Sequence, residues 1–238
     1  MSVEDRKTHR KLYGRRKGPK LSAHQERLLE TLLPQLALTL EAGRDPRTYF
    51  PSPVDDVWLE IGFGAGEHVL WQAEHHPRIG LIAAEPYISG VAKLLSKLDT
   101  SPARGGGARE AGGGGNIRVY DDDARNILDA LPDASLARVF LLFPDPWPKT
   151  RHHKRRFVQM ETLDVLARVM KPGAEFRFAS DDRDYLNWAL ERLLAHPAFA
   201  WTAARATDWQ TRPADWPETR YESKALHGVP AFLRFMRR

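Results

Sequence analysis

Short apolar runs alternate with amphipathic segments between residues 57 and 194, and this alternation restricts the fold more than any other feature. The apolar runs have the length and the β-branched or aromatic character of buried parallel strands. They are Val57–Ile61, Ile79–Ala84, Ile117–Tyr120, Leu136–Phe143 and Glu175–Ala179. The segments between them carry apolar residues at helical spacing. Regular alternation of this kind predicts an α/β fold with a doubly wound parallel sheet.

Two segments lie outside this alternation. Residues 1–20 hold eight Lys or Arg side chains against two acidic ones, so residues 1–21 are predicted to form a basic, flexible N-terminal arm. Residues 103–115 contain seven glycines, and such a run cannot offset its ordering entropy by burial. We therefore expect a flexible loop, inserted into a single domain that spans residues 22–238.

Positive charge is concentrated in the arm and in residues 149–156. The excess of six positive charges in residues 1–20 exceeds the formal net charge of +5, so the body of the chain is close to neutral. Clustered cations predict a polyanionic partner and are typical of RNA or DNA binding. A membrane-binding arm is the alternative. It is disfavoured because Leu12 and Tyr13 are the only large apolar side chains in residues 5–20.

Membrane, disulfide and metal chemistry are not expected. No apolar stretch approaches the roughly eighteen residues of a membrane span, and the start lacks the apolar segment of a signal peptide. The chain has no cysteine, which excludes disulfides and thiolate ligands and favours a cytoplasmic protein. His152 and His153 have no carboxylate at ligand spacing, so we predict no metal. The sequence does not distinguish a monomer from a homodimer.

Residues 143–156 read FPDPWPKTRHHKRR. Three prolines at alternate positions stop the preceding strand and hold the chain extended. The loop presents Asp145, Trp147 and Lys149 at the carboxyl end of a strand, the edge where open α/β sheets bind ligands. The cations that follow are predicted to bind phosphates: Arg151, Lys154, Arg155 and Arg156. Taken alone, these cations also fit a solvated basic helix start.

A glycine-rich turn follows the first strand. Glu60 precedes Gly62, Gly64 and Gly66, and these glycines permit a tight turn and close approach of a ligand. The dinucleotide fingerprint needs glycine at position 67, where this chain has Glu67. The spacing resembles instead the first motif of S-adenosylmethionine (SAM) methyltransferases, whose sulfonium cofactor has no pyrophosphate.

Acidic residues end the next two predicted strands. Glu85 is placed to accept hydrogen bonds from both ribose hydroxyls of a cofactor, and a bare surface glutamate is the alternative. Asp123 ends the third strand, where a helix N-cap is the alternative to a cofactor contact, and both roles are compatible.

The string at residues 143–156 resembles the signature of the bacterial tRNA (guanine-N7)-methyltransferases, Phe-Pro-Asp-Pro-Trp-x-Lys-x-Arg-His-x-Lys-Arg-Arg. The resemblance implies a Rossmann-like methyltransferase fold with a mostly parallel seven-stranded sheet. It also implies methyl transfer from SAM to N7 of the variable-loop guanine, position 46, of tRNA. Asp145 is the implied catalytic residue. The implied cofactor contacts are Glu60, Gly62, Gly64, Gly66, Glu85, Asp123 and Asp145.

Two further motifs extend the resemblance along the chain. Ser180-Asp181 is similar to the Thr-Asp pair of the family, and Thr219-Arg-Tyr-Glu222 is similar to its C-terminal Thr-x-aromatic-Glu motif. The implied substrate contacts are Lys149, Asp181, Thr219 and Glu222. The family needs no metal. Its members have a short connection where this chain has residues 103–115, so the insertion is expected to lack a catalytic role.

Other functions remain open at this point. A SAM-dependent enzyme acting on another RNA or on a small molecule would share every cofactor motif, and only the basic segments and the proline-rich string argue against it. A nicotinamide oxidoreductase is disfavoured by Glu67 and by the basic arm. A non-catalytic RNA-binding protein on a decayed methyltransferase fold is least favoured, because Glu60, Glu85, Asp123 and Asp145 are all present.

Overall fold

The structure, a computed structural model, describes residues 12–14, 16–100, 115–224 and 228–238. Residues 1–11 of the predicted arm and most of the predicted insertion, residues 103–114, lie outside the described residues. The chain divides into two compact units, Met1–Pro132 and Asp133–Arg238. The prediction of a single domain over residues 22–238 stays a prediction.

The first unit contains three parallel strands in the order β3-β2-β1. Its helices are α1 (Ala23–Thr31), α2 (Leu33–Leu36), α3 (Glu67–His75), α4 (Ile88–Thr100) and α5 (Ala124–Ala130), with a 3₁₀ helix at Pro46–Tyr49. Its strands are β1 (Asp56–Ile61), β2 (Ile79–Ala84) and β3 (Ile117–Tyr120). Ile61 is in register with Ala84, and Ala84 with Tyr120. The three strands therefore end side by side, and the loops that follow them lie at one edge.

Helix α1 begins at a capping box, which the sequence Ser22-Ala-His-Gln25 predicts. The Ser22 hydroxyl accepts from the Gln25 N–H, and the Gln25 side chain accepts from the Ser22 N–H, which completes a capping box. The helix ends before Pro34, and Leu28, Leu32 and Leu36 are buried. These three leucines recur at every fourth position, which is the spacing of one helix face, and they pack in the core.

The second unit contains four strands in the order β4-β5-β7-β6. The strands are β4 (Leu136–Leu142), β5 (Met170–Ser180), β6 (Phe199–Trp201) and β7 (Ala231–Arg237). The helices are α6 (Met160–Val169), α7 (Arg183–Ala195), α8 (Thr207–Gln210) and α9 (Arg220–Lys224), with a 3₁₀ helix at Thr150–Arg155. Strand β5 is parallel to β4, whereas β7 is antiparallel to both β5 and β6.

The start of β5 differs from the prediction. The predicted strand begins at Glu175, but β5 begins at Met170. Leu136 pairs with Met170 and Arg138 with Glu175, so residues 171–174 oppose a single residue of β4. Gly173 adopts a φ of +80° within this stretch. The glycine lets the extra residues bulge out while strand pairing continues on both sides.

The seven strands follow the order β3-β2-β1-β4-β5-β7-β6. The pairs β1–β2, β2–β3 and β4–β5 are parallel, and both pairs that include β7 are antiparallel. This confirms the predicted α/β class and the mostly parallel seven-stranded sheet. Buried aliphatic and aromatic side chains on the strands, among them Leu59, Ile82, Phe140 and Phe178, form the core. Among the described residues, no helix is long and apolar enough to cross a membrane.

Candidate active site

The glycine-rich turn after β1 depends on backbone conformations that favour glycine. Gly62, Gly64 and Gly66 have φ values of +74°, +59° and +78°, in the left-handed region that other residues avoid. A Cβ atom on Gly66 would lie 2.6 Å from the Leu94 side chain. A Cβ on Gly62 would meet no other described residue within 4 Å. The turn is therefore packed at its helix end and leaves space beside Gly62, as close approach of a ligand requires.

The Glu85 carboxylate holds this turn in place. Glu85 follows β2 and is buried, with 8% of its surface exposed. It accepts hydrogen bonds from the Gly64 N–H at 2.8 Å and from the Tyr87 N–H at 2.9 Å. Gly90 allows the close packing, because a Cβ there would lie 2.4 Å from the Gly64 carbonyl oxygen. Gly90 has no motif signal in the sequence, so its role becomes visible only in the structure.

Glu60 lies inside the first unit, in a buried chain of polar side chains. Its carboxylate is 2.6 Å from Nδ1 of His68, and Nε2 of His68 is 3.0 Å from the Gln72 amide nitrogen. All three residues are buried. The imidazole of His68 thus connects the Glu60 carboxylate with the Gln72 amide. The predicted contact of Glu60 with a cofactor stays a prediction, and its partner His68 was not anticipated.

Asp123 caps helix α5. Its carboxylate accepts from the Arg125 N–H at 3.0 Å and also pairs with the Arg125 guanidinium. The N-cap interpretation of Asp123 is confirmed, while its contact with a cofactor stays a prediction. Asp123 and Glu85 follow adjacent strands, β3 and β2, at the same edge of the first unit.

Part of the predicted basic arm packs at this same edge. The Ile88 N–H donates to the Arg16 carbonyl at 3.1 Å, and the Arg16 guanidinium lies 3.0 Å from the Asp122 carboxylate. A Cβ on Gly18 would lie 2.2 Å from the Tyr87 hydroxyl oxygen. Arg16 and Gly18 are therefore docked against the loops that follow β2 and β3, whereas the sequence predicts a flexible arm throughout.

In the second unit, the proline-rich loop after β4 has two unusual backbone positions. Phe143 and Trp147 have φ values of +50° and +48°, which is a strained conformation for residues other than glycine. Asp145 lies between them and is exposed, as is Lys149. The backbone is thus bent on both sides of Asp145. The prolines of the loop restrict its conformation further.

The basic segment that follows separates into exposed and enclosed cations. Arg151 and Lys154 are exposed on the 3₁₀ helix. The Arg155 guanidinium lies 4.8 Å from the Trp147 ring centroid. The structure corrects the prediction for Arg156, which is 2% exposed and bonded to the Pro146 carbonyl. An enclosed guanidinium is not available to phosphates, so the phosphate-binding role predicted for Arg156 is wrong.

Three of the predicted substrate residues lie in buried or half-buried positions of the second unit. Asp181 follows β5 and is 9% exposed. The Thr219 hydroxyl, which precedes helix α9, accepts from the Glu222 N–H at 3.3 Å. Burial raises the pKa of Glu222, and the Arg212 guanidinium at 3.6 Å opposes this only in part. Among the described residues, Oε2 of Glu222 has no hydrogen-bond partner, which is typical of a functional carboxylate.

A buried ion cluster anchors the segment that leads to Thr219. The Arg177 guanidinium, on β5, is buried and donates to Asp215 at 2.7 Å and to Glu175 at 2.8 Å. Burial alone would raise the pKa of Asp215, but the hydrogen bond and charge of Arg177 hold it below its ordinary value. Trp216 packs on Phe232 with ring centroids 5.2 Å apart. Sequence reasoning missed this anchor because its members are far apart in the chain.

No metal centre is visible in the described ranges. No group of three or more histidine or acidic side chains there is placed to hold a metal ion. The prediction that the protein works without a metal stays a prediction.

Comparison with known proteins relates the chain to methyltransferases. A family model described as "Putative methyltransferase" matches residues 55–231. The tRNA (guanine-N(7)-)-methyltransferase of Rhodospirillum rubrum is 52% identical over 235 residues, which cover 96% of this chain and 88% of that protein. The enzyme of the same name from Rhizobium meliloti is 49% identical and covers 94% of each chain.

Among solved structures, the 16S rRNA methyltransferase KamB is similar with a TM-score of 0.53. The similarity covers 78% of this chain and 89% of KamB at 18% sequence identity. At that identity it demonstrates a shared fold and nothing further.

The environment of Glu222 gives a prediction about stability. Because burial raises its pKa above the unfolded value, ionising Glu222 costs folding free energy. This cost is absent below the unfolded pKa of about 4.3 and is complete once the pH exceeds the raised value. Glu222→Gln should therefore match the wild type in melting temperature near pH 4 and equal or exceed it at pH 7.

Glu218→Gln is the matched control, because Glu218 also lies near Arg212, at 3.7 Å, but is 55% exposed. Its melting temperature should follow the wild type at both pH values. A lower melting temperature of Glu222→Gln at pH 7 would mean that the carboxylate stabilises the fold.

Proposed function

The chain belongs to the family of bacterial tRNA (guanine-N7-)-methyltransferases, and we propose that it transfers a methyl group from SAM to N7 of a guanine in tRNA. The proposed target is the variable-loop guanine at position 46, in the cytoplasm. Family membership over nearly the whole chain carries this proposal. The proline-rich string at residues 143–156, which carried the resemblance in the sequence, supports it.

The glycine-rich turn of the first unit suits SAM. Its backbone can be approached at Gly62, where a Cβ atom would meet no other described residue within 4 Å. A carboxylate has about four acceptor sites, so Glu85 can bind the turn and still accept hydrogen bonds from ribose hydroxyls. We assign the cofactor to Glu60, Gly62, Gly64, Gly66, Glu85 and Asp123. When bound, SAM supplies a methyl group activated by its positively charged sulfur.

The chemistry requires positioning more than proton transfer. Guanine N7 carries an in-plane lone pair and no proton, so its attack on a methyl group needs no general base. Methyl transfer places positive charge on the base, and a fixed carboxylate stabilises that charge as it develops. Asp145, exposed on a bent and proline-restricted loop, is the residue we assign to this role and to a cofactor contact.

The remaining predicted residues would hold the RNA. Lys149, Asp181, Thr219 and Glu222 are assigned to the guanine and its surroundings. Oε2 of Glu222 has no hydrogen-bond partner in the described part of the chain and offers an acceptor to a base or to the cofactor. Arg151 and Lys154 are exposed and are assigned to phosphates. The Arg155 guanidinium packs on the Trp147 ring, and we assign it a weaker phosphate contact than those of Arg151 and Lys154.

The proposed activity is tested by incubating unmodified tRNA with SAM and the protein, followed by mass spectrometry of the nucleosides. We expect N7-methylguanosine, located by fragment mapping at the variable loop. Asp145→Ala should fold and lower turnover by roughly 10²-fold, the usual effect of removing one electrostatic group from a transition state. Methylation at a different atom, or of another RNA alone, would favour the alternative of an enzyme for another RNA.

A second prediction concerns Glu85 and the cofactor. Hydrogen bonds to charged groups contribute roughly 1.5–3 kcal/mol, so Glu85→Ala should weaken SAM binding by roughly 10- to 100-fold. Glu85→Gln should bind SAM nearly as weakly. The NH₂ group of the glutamine is a donor and would face another donor, the N–H of Gly64 or of Tyr87. Isothermal titration calorimetry measures both, with the exposed Glu74→Ala as control. Unchanged SAM affinity of Glu85→Ala would remove the ribose assignment.

A third prediction concerns the exposed cations. If Arg151 and Lys154 contact phosphates, the double variant Arg151→Ala/Lys154→Ala should bind tRNA more weakly and with a flatter salt dependence. Each lost contact removes about 0.7–0.9 of a unit from the log–log slope. SAM affinity should be unchanged. Arg168→Ala removes an exposed cation elsewhere in the same unit and is the control. A wild-type slope in the double variant would leave these cations as solvated surface.

A further inference from the structure

Arg156 connects the proline-rich loop with helix α7, and we propose that it is a positioning residue that fixes Asp145 for methyl transfer. The proposal rests on the function proposed above, in which Asp145 stabilises the developing charge. Arg156 is placed to act through the main chain of the loop, since its guanidinium is enclosed within the second unit.

The contacts of Arg156 reach the loop on one side and α7 on the other. Nε donates to the Pro146 carbonyl at 2.8 Å. A second nitrogen pairs with the carboxylate of Asp184, in the first turn of α7. The guanidinium carbon lies 5.0 Å from the ring centroid of Tyr185 and 5.1 Å from that of Trp188. One side chain thus bonds the peptide next to Asp145 while two aromatic rings enclose it.

The aromatic slot around Arg156 is itself fixed by hydrogen bonds. The Tyr185 hydroxyl accepts from the N–H groups of Phe157 and Val158, at 2.9 and 3.3 Å. Nε1 of Trp188 donates to the Val158 carbonyl at 2.7 Å. Burial raises the pKa of Tyr185, and the negative charge of Asp145 acts in the same direction. The two rings that enclose Arg156 therefore have little freedom to shift. The charge of Asp145 acts on Tyr185 electrostatically.

The loop needs such an anchor because its backbone is strained. Positive φ values at Phe143 and Trp147 persist only where the surroundings enforce them. Both residues precede a proline, which restricts their backbone further. The Pro146 carbonyl lies between Asp145 and Trp147, so its bond to Arg156 holds the middle of the strained segment. Without that bond, the loop can relax and carry the Asp145 carboxylate away from its working position.

Positioning and phosphate binding predict different kinetics for Arg156. Loss of a phosphate contact would raise KM for tRNA and flatten the salt dependence. Loss of positioning would lower kcat and leave KM, the salt dependence and SAM affinity in place. The variant Arg156→Lys separates these two roles further. It keeps the positive charge, but its single ammonium cannot reproduce the planar guanidinium that bonds two partners in fixed directions.

The experiment compares three variants in the tRNA methylation assay. Arg156→Lys should lower kcat by roughly 10²-fold, the effect of a misplacement of about 1 Å. Asp184→Asn, which weakens the outer anchor at a carboxylate that is 64% exposed, should lower kcat less and keep the fold intact. Arg192→Lys is the control, because Arg192 lies over the same Trp188 ring and bonds within α7. It should retain the kcat of the wild type.

A readout independent of turnover is fluorine NMR of protein labelled with 5-fluorotryptophan. The chain has seven tryptophans, and Trp147→Phe assigns the resonance of Trp147. In Arg156→Lys this resonance should shift or broaden, while in Arg192→Lys it should stay in place. If the wild type does not methylate tRNA, the proposed function fails and this measurement alone decides the role of Arg156.

The proposal is overturned in either of two ways. One is a wild-type Trp147 resonance in Arg156→Lys. The other is a loss confined to tRNA KM and salt slope with kcat retained, which would make Arg156 a phosphate ligand after all.

Discussion

A charged side chain can be buried only where main-chain dipoles or opposite charge compensate it, and this constraint shapes both units. In the first unit, two N–H groups compensate the buried Glu85 carboxylate. In the second, the Pro146 carbonyl and Asp184 compensate the buried Arg156 guanidinium. In both cases the compensating atoms include the main chain of a functional loop. Such a loop cannot move without leaving a buried charge unpaired, so burial of charge makes these loops rigid.

Rigidity of this kind suits methylation of a nitrogen that carries no proton. An enzyme that relies on acid–base catalysis gains from a side chain whose pKa lies near the working pH. Transfer to guanine N7 gains instead from fixed alignment and fixed charge. Glu60 and His68 of the first unit fit this demand, because they are turned toward each other in the interior. The acidic residues Glu60, Glu85 and Asp123 thus hold the structure together, in addition to the cofactor contacts proposed for them.

The sequence predicts the first unit better than the second, because the interactions that define the first unit join residues close together in the chain. The strands of the first unit, its glycine turn and the capping box at Ser22 depend on residues close together in the chain. The sequences of β6 and β7 do not show the apolar run of a buried strand. Strand β6 has three residues, and β7 carries arginines among its apolar residues. Only the family resemblance supplied them. The clusters around Arg177 and Arg156 join residues roughly thirty to forty positions apart, which periodicity cannot reveal.

Arg155 and Arg156 show that adjacent charged residues can have different surroundings. They are neighbours in the sequence, yet Arg155 lies over the half-buried Trp147 ring of the loop and Arg156 is enclosed beneath the loop. A count of cations therefore overstates the charge that residues 151–156 offer to RNA, since Arg151 and Lys154 are the exposed members. Arg16 is likewise engaged with Asp122. The proposed long-range attraction of tRNA would then depend more on the other basic residues of the N-terminal arm, because residues 1–20 carry an excess of six positive charges.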